Sequence, residues 1–106
     1  MSTSYIYIIG GAEPPYKVGI SKHPERRMRD LQTGYPYKLK LHHKQPTDIA
    51  KTKLLETVIH RNLRFYRTQG EWFDIAIENL LLEIDFAIIR YSEDPLLRTL
   101  VEHRLT

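Results

Sequence analysis

Two short runs of β-branched and aromatic side chains, Tyr5-Ile6-Tyr7-Ile8-Ile9 and Tyr16-Lys17-Val18-Gly19-Ile20, flank Gly10-Gly11-Ala12-Glu13-Pro14-Pro15. The six intervening residues break any regular element, because glycine adds backbone freedom and proline removes an N–H donor. Two strand-forming runs joined by a short breaker segment predict a hairpin. Tyr5 and Tyr7 share one face of the first strand and Ile6 and Ile8 the other. Isoleucine prefers burial, so the tyrosines are expected to face a cleft.

The chain continues in the manner of a small α+β domain. Pro24 suits the first position of a helix, which should run through Glu25 to about Thr33 and end at Gly34, a residue that tolerates a left-handed cap. Tyr37-Lys38-Leu39-Lys40-Leu41-His42 alternates strictly and predicts a third strand, half-buried, with a basic outer face. Thr47 or Asp48 can cap a second helix whose apolar stripe is Leu54, Leu55, Val58, Ile59 and Leu63. Glu56 and His60, four residues apart, lie along one edge of that stripe. Thr68-Gln69-Gly70-Glu71 ends this helix. A third helix is expected from Asp74 to about Tyr91, with two apolar faces and therefore two packing partners. One face carries Phe73, Ile77, Leu80, Leu81, Ile84 and Ile88; the other carries Ile75, Leu82, Phe86 and Ile89. The second partner is either a last helix after Ser92-Glu93-Asp94-Pro95 or another subunit. The expected architecture is a small three-stranded antiparallel sheet flanked by helices, with extra C-terminal helices: a core over 1–73 and a helical extension over 74–106 packed on the same domain.

Charge is unevenly placed. Residues 1–47 hold eight Lys/Arg against three Asp/Glu, and residues 48–106 eight against ten. A basic front half can meet a polyanion, although basic residues also serve simply to solubilise a small domain. There are no cysteines, which excludes disulfides and thiolate metal sites and leaves oxygen and imidazole ligands, the preference of magnesium or manganese. No apolar run is long enough to span a bilayer and no secretory leader is evident, so a cytoplasmic setting in a bacterial or phage-infected cell is expected.

Tyr5-Ile6-Tyr7, Lys17-Val18-Gly19, Arg27 and Glu56 occur in an order that resembles the GIY-YIG nuclease superfamily. The closer resemblance is to a small phage-associated branch, through Tyr16-Lys17-Val18-Gly19, Leu31-Gln32-Thr33-Gly34, Leu55-Glu56 with His60, and Gly70-Glu71-Trp72-Phe73. It covers about residues 5–73. It implies metal-dependent hydrolysis of DNA phosphodiester bonds, with magnesium or manganese at Glu56, Arg27 as the phosphate-binding arginine on the first helix, and Tyr7 as the tyrosine ending the first motif. Tyr5 stands where the first motif has glycine, and Lys17 where many members have tyrosine. Tyr16 cannot replace that tyrosine, because neighbouring residues in a strand point to opposite faces.

The chemistry of the individual residues fits these roles, and each also has a bland explanation. Glu56 can hold a cation that neutralises charge on phosphorus oxygens, or be an ordinary helix-edge glutamate. The Arg27 fork can grip two phosphate oxygens; Arg26 and Arg29 suit a solvated or phosphate-positioning role. Tyr7 is a candidate general base if a cation such as Lys17 lowers its pKa from about 10. Lys17 can stabilise developing charge, or be an exposed strand lysine. His60 can shuttle a proton or contact phosphate; His42 and His43 are weaker candidates. Glu71 competes with Glu56 for the metal, but its place before an aromatic pair favours a structural role, such as pairing with Arg67. Lys22, Arg26, Lys38, Lys40 and Lys44 are the expected DNA phosphate contacts. Such contacts carry little sequence information, so specificity is expected to be weak, structural, or supplied by a protein partner. The alternative to a nuclease is a non-catalytic DNA-binding or regulatory module with the same fold. A further alternative is an interaction protein that dimerises through the helix from Asp74 to Tyr91.

Overall fold

A computed structural model describes residues 3–47 and 49–93. In chain order the elements are β1 (Ser4–Gly10), β2 (Tyr16–Ser21), α1 (Pro24–Thr33), β3 (Lys40–Thr47), α2 (Ile49–Asn62), a 3₁₀ turn (Arg64–Tyr66), β4 (Arg67–Gln69), β5 (Trp72–Phe73) and α3 (Ile77–Glu93). The chain is α+β, as expected, but the sheet has five antiparallel strands rather than three, in the order β3-β1-β2-β5-β4. The three expected strands form one side. The additional hairpin β4–β5 docks on the outer edge of β2, where Tyr16 pairs with Phe73 and Lys17 with Trp72.

The starts of β3 and α3 and the cap of α1 differ from the sequence expectation for identifiable reasons. β3 begins at Lys40, not Tyr37. The Gln32 side chain donates to the carbonyls of Tyr35 and Tyr37 (3.3 and 2.9 Å) and accepts from the Leu39 amide (2.6 Å). Those backbone groups are therefore engaged locally before the chain reaches β1. Gly34 ends α1 with φ −104°, outside the left-handed region, and its amide bonds to the Leu31 carbonyl at 3.3 Å. α3 starts at Ile77, since the Asp74 amide closes back on the Tyr66 carbonyl at 2.7 Å. The cap expected at Asp48 and the last helix expected after Pro95 lie outside the described residues.

The sheet separates two apolar layers. On one face Ile6, Ile8, Val18 and Phe73 pack with Leu55, Val58, Ile59 and Leu63 of α2 and its end, and with Leu80 and Ile84 of α3. Each fully buried aliphatic or aromatic side chain of this kind contributes roughly 1.5–3 kcal/mol relative to exposure. On the other face Tyr7, Ile9 and Leu39 pack under Met28 and Leu31 of α1, with Tyr35, Leu41 and Trp72. The first of the two apolar faces expected on the third helix meets this core; of the second, Ile75, just before α3, is also buried in it, whereas Leu82, Phe86 and Ile89 are exposed. Among the described residues, no helix is long and apolar enough to cross a membrane.

Candidate active site

β5 is only two residues long, so beyond Lys17 the edge of β2 is bare of a regular partner strand. The turn before β5 covers part of that edge, as the Val18 amide donates to the Glu71 carbonyl at 3.0 Å. α2 covers the next part. Its apolar stripe rests on the sheet, and the adjacent edge of the helix carries Glu56 and His60 to the margin of β2. There His60 Nε2 lies 2.7 Å from the Val18 carbonyl. A carbonyl only accepts, so Nε2 carries the proton and His60 is a donor at this contact.

Glu71 lies next to this pair. One ligand atom each of Glu56, His60 and Glu71 falls within 4.8 Å of the others, a group able to hold a metal ion. With His60 donating through Nε2 to Val18, the two carboxylates are the groups offering negatively charged oxygens to a cation. Lys17 Nζ stands 3.0 Å from Glu71 Oε1, and Lys53 Nζ 3.0 Å from Glu56 Oε1. The two lysines differ in kind. The Lys17 side chain is 8% exposed and held under the sheet face, whereas that of Lys53 is 78% exposed on a free surface.

Two sequence expectations are corrected here. Glu71 does not pair with Arg67, whose guanidinium instead lies over the Phe73 ring, 5.6 Å from its centroid. Opposite the β4–β5 turn stands β2, and so Glu71 reaches Lys17. Nor is Lys17 an exposed strand lysine, because Trp72 is its cross-strand neighbour and Glu71 meets its head group. The sequence signal for Glu71 was its position in Gly70-Glu71-Trp72-Phe73, where a turn glycine (φ +54° at Gly70) precedes a pair that anchors an edge strand.

Tyr7 completes the site from below. It is 2% exposed, in contrast to the cleft-facing tyrosine expected, because α1 covers its face of the sheet. Burial raises its phenol pKa above the ordinary value of 10.0, and the neighbouring Glu71 and Glu56 charges add to this. A hydrogen bond from Arg27 and the Arg27 charge offset it only in part. In this arrangement Tyr7 is held as a neutral phenol, a hydrogen-bond donor, and not as the activated base anticipated from a nearby lysine. Gly19, its cross-strand neighbour, leaves the space the ring occupies: a Cβ there would lie 2.6 Å from Tyr7 Cζ.

The carboxyl of Glu71 is pushed up by burial, but the hydrogen bond and charge of Lys17, and the charge of His60, bring it below the ordinary carboxylate value. A depressed carboxylate stabilises the fold above its unfolded pKa, and that stabilisation disappears as pH falls through the folded value. Glu71→Gln should therefore lower Tm at neutral pH, with the gap to the parent closing below about pH 4. Thermal unfolding of both proteins from pH 7 downward measures this; a gap that stays constant with pH would remove the Lys17–Glu71 pair as its cause.

The remaining expected residues are not all nearby. Arg27 joins the site through Tyr7, while Arg26, Arg29, Lys22, Lys38 and Lys40 are exposed. Lys44 is tied to Glu25 at 2.6 Å and lies 5.3 Å from the Tyr5 ring centroid. His42 binds the Gly11 carbonyl at 2.8 Å, a contact that shapes the loop after β1. His43 pairs with Ile8, on the opposite face from Tyr7.

Comparison with curated proteins and with solved structures gives no match. The family model described as the T5orf172 domain matches residues 4–87, a span that runs from β1 into α3 and includes every residue of the cluster. The chain belongs to the T5orf172 domain family.

Proposed function

We propose that this chain is a metal-dependent endonuclease that hydrolyses DNA phosphodiester bonds, with a site of the GIY-YIG type. The observation that carries the reading is convergence. Tyr7 from β1, Lys17 from β2, Arg27 from α1, Glu56 and His60 from α2 and Glu71 from the β4–β5 turn meet at one margin of the sheet. The donor chemistry fits magnesium or manganese, as two carboxylates offer hard oxygen ligands and no thiolate is present. Glu56 and Glu71 would hold the ion, which when bound supplies positive charge at the phosphorus oxygens and the leaving oxygen.

The chain's own side chains do the rest. Arg27 presents an exposed, planar fork suited to two phosphate oxygens. Lys17 keeps a buried positive charge against Glu71 and preorganises that carboxylate. Tyr7, kept as a phenol, donates a hydrogen bond toward an anionic oxygen. His60 is the proton carrier, held in orientation by the Val18 carbonyl. Supercoiled plasmid incubated with the purified protein should be nicked in magnesium or manganese and left intact in chelator. Intact plasmid under every metal condition, with a folded protein, rejects the proposal.

One observation favours a second reading, a non-catalytic DNA-binding module. Both carboxylates are already neutralised by lysines, Lys53 and Lys17. That reading predicts DNA binding indifferent to chelator and no strand cleavage.

A further inference from the structure

Beyond His60 the chain forms a surface that the site does not use. Leu63 is fully buried and anchors the end of α2. The 3₁₀ turn that follows is pinned by two backbone bonds, Tyr66 amide to Leu63 carbonyl (2.8 Å) and Asp74 amide to Tyr66 carbonyl (2.7 Å). On this fixed turn Phe65 is 84% exposed and Tyr66 48%. An aromatic ring held out into water by a rigid backbone loses the favourable free energy that burial would give it. Three arginines close to it in the chain, Arg61, Arg64 and Arg67, are exposed. Arg64 places its guanidinium 4.5 Å from the Phe65 ring centroid and donates to the Arg61 carbonyl at 2.8 Å. Arg67 lies over Phe73, whose own ring is 5.2 Å from that of His60. Among the described residues, none of Arg61, Arg64 and Arg67 has a carboxylate partner.

Exposed arginines with no carboxylate partner among the described residues, one of them stacked on an exposed aromatic ring, match the chemistry of a single-stranded polynucleotide. Such a ligand offers a phosphate for each cation and a flat base for the ring, and duplex DNA keeps its bases stacked inside. The location is informative too. The Arg67 guanidinium is 5.6 Å from the centroid of the Phe73 ring, and that ring is 5.2 Å from the His60 ring of the cluster. A strand whose phosphate sits at the Glu56–Glu71 cluster would reach Phe65 within a very few nucleotides. We propose that Phe65, with Arg61, Arg64 and Arg67, binds an unpaired stretch of the DNA next to the scissile phosphate. The enzyme would then favour substrates with single-stranded segments. This inference rests on the nuclease reading for the identity of the polymer, but its test reads binding alone.

The test uses the full-length chain carrying Glu56→Gln, so that no strand is cut. A short single-stranded oligonucleotide with one 2-aminopurine is titrated, alongside the same sequence as a duplex. The single strand should bind more tightly than the duplex, and the fluorescent base should be quenched on stacking. Adding Phe65→Ala should weaken single-strand binding roughly five- to a hundredfold and abolish the quench, with little change for the duplex. Each of Arg61→Gln, Arg64→Gln and Arg67→Gln should reduce the salt dependence of single-strand binding by about one phosphate contact. Phe86→Ala removes an exposed phenylalanine elsewhere and should change nothing. The proposal is overturned if Phe65→Ala binds the single strand with unchanged affinity and quench, if it weakens both DNA forms equally, or if neither form binds. Failure of plasmid cleavage sinks the nuclease reading and leaves these binding results to stand or fall separately.

Discussion

Glu56→Gln should reduce metal-dependent cleavage by roughly a thousandfold while leaving the protein folded. The amide has the shape of the carboxylate but lacks its charge, so the cluster would keep one anionic group, Glu71, where it had two. Glu56 is 5% exposed, and its described ion-pair partner, Lys53, is a surface side chain free to return to solvent. Little fold stability is therefore at stake, since an exposed lysine partner contributes at most about 1 kcal/mol. Initial nicking rates and thermal unfolding on the same preparations separate the two effects. Cleavage at the parent rate by a folded Glu56→Gln protein would rule out this carboxylate as the metal ligand. The parallel Glu71→Gln variant asks whether the second carboxylate is equally needed. Loss of activity there, with the pH-dependent stability change described above, would join the catalytic and structural roles of one residue.

Gly19→Ala should damage both stability and activity, although it adds a single methyl group. The added carbon would stand 2.6 Å from Tyr7 Cζ and 3.2 Å from Cε2, and the ring has no free direction because α1 closes over it. Overpacking of this kind costs about 1–3 kcal/mol, a fall in Tm of roughly 5–20 °C for a domain of this size. The displaced ring also takes the phenol away from Arg27 and the carboxylates, so cleavage should fall more steeply than stability. Gly34→Ala is the contrast: nothing lies within 4 Å of its Cβ position, and Tm should stay the same or rise slightly. A double-mutant cycle identifies the cause. If the clash with Tyr7 is responsible, Gly19→Ala should cost little when Tyr7 is already alanine. An undiminished penalty in that background would assign the glycine to some other constraint.

Both expectations concern residues that the sequence alone singles out. α1, Pro24–Thr33, was legible because Pro24 and Gly34 act locally, although Gly34 closes the helix without the left-handed cap expected of it. β1 and β2 were legible for the same reason, as β-branched and aromatic content and the Gly-Pro break act over a few residues. Glu56 and His60 could be placed on one helix edge because a spacing of four residues is a property of the helix itself.

The partners of these groups were not legible. Lys17 belongs with Glu71 because a two-residue strand, too short to show periodicity, docks on β2 and turns a distant glutamate toward it. Tyr7 is a buried phenol with a raised pKa because α1 lies across it, which the pattern of the strand alone does not encode. β3 starts late because one glutamine side chain, seven residues before Leu39, claims the backbone that alternation had assigned to a strand. Local backbone preferences and side-chain periodicity thus carried the elements and their order. Burial, charge pairing and proton state depend on which surfaces meet across the sheet, and those long-range contacts exist only once the chain has folded.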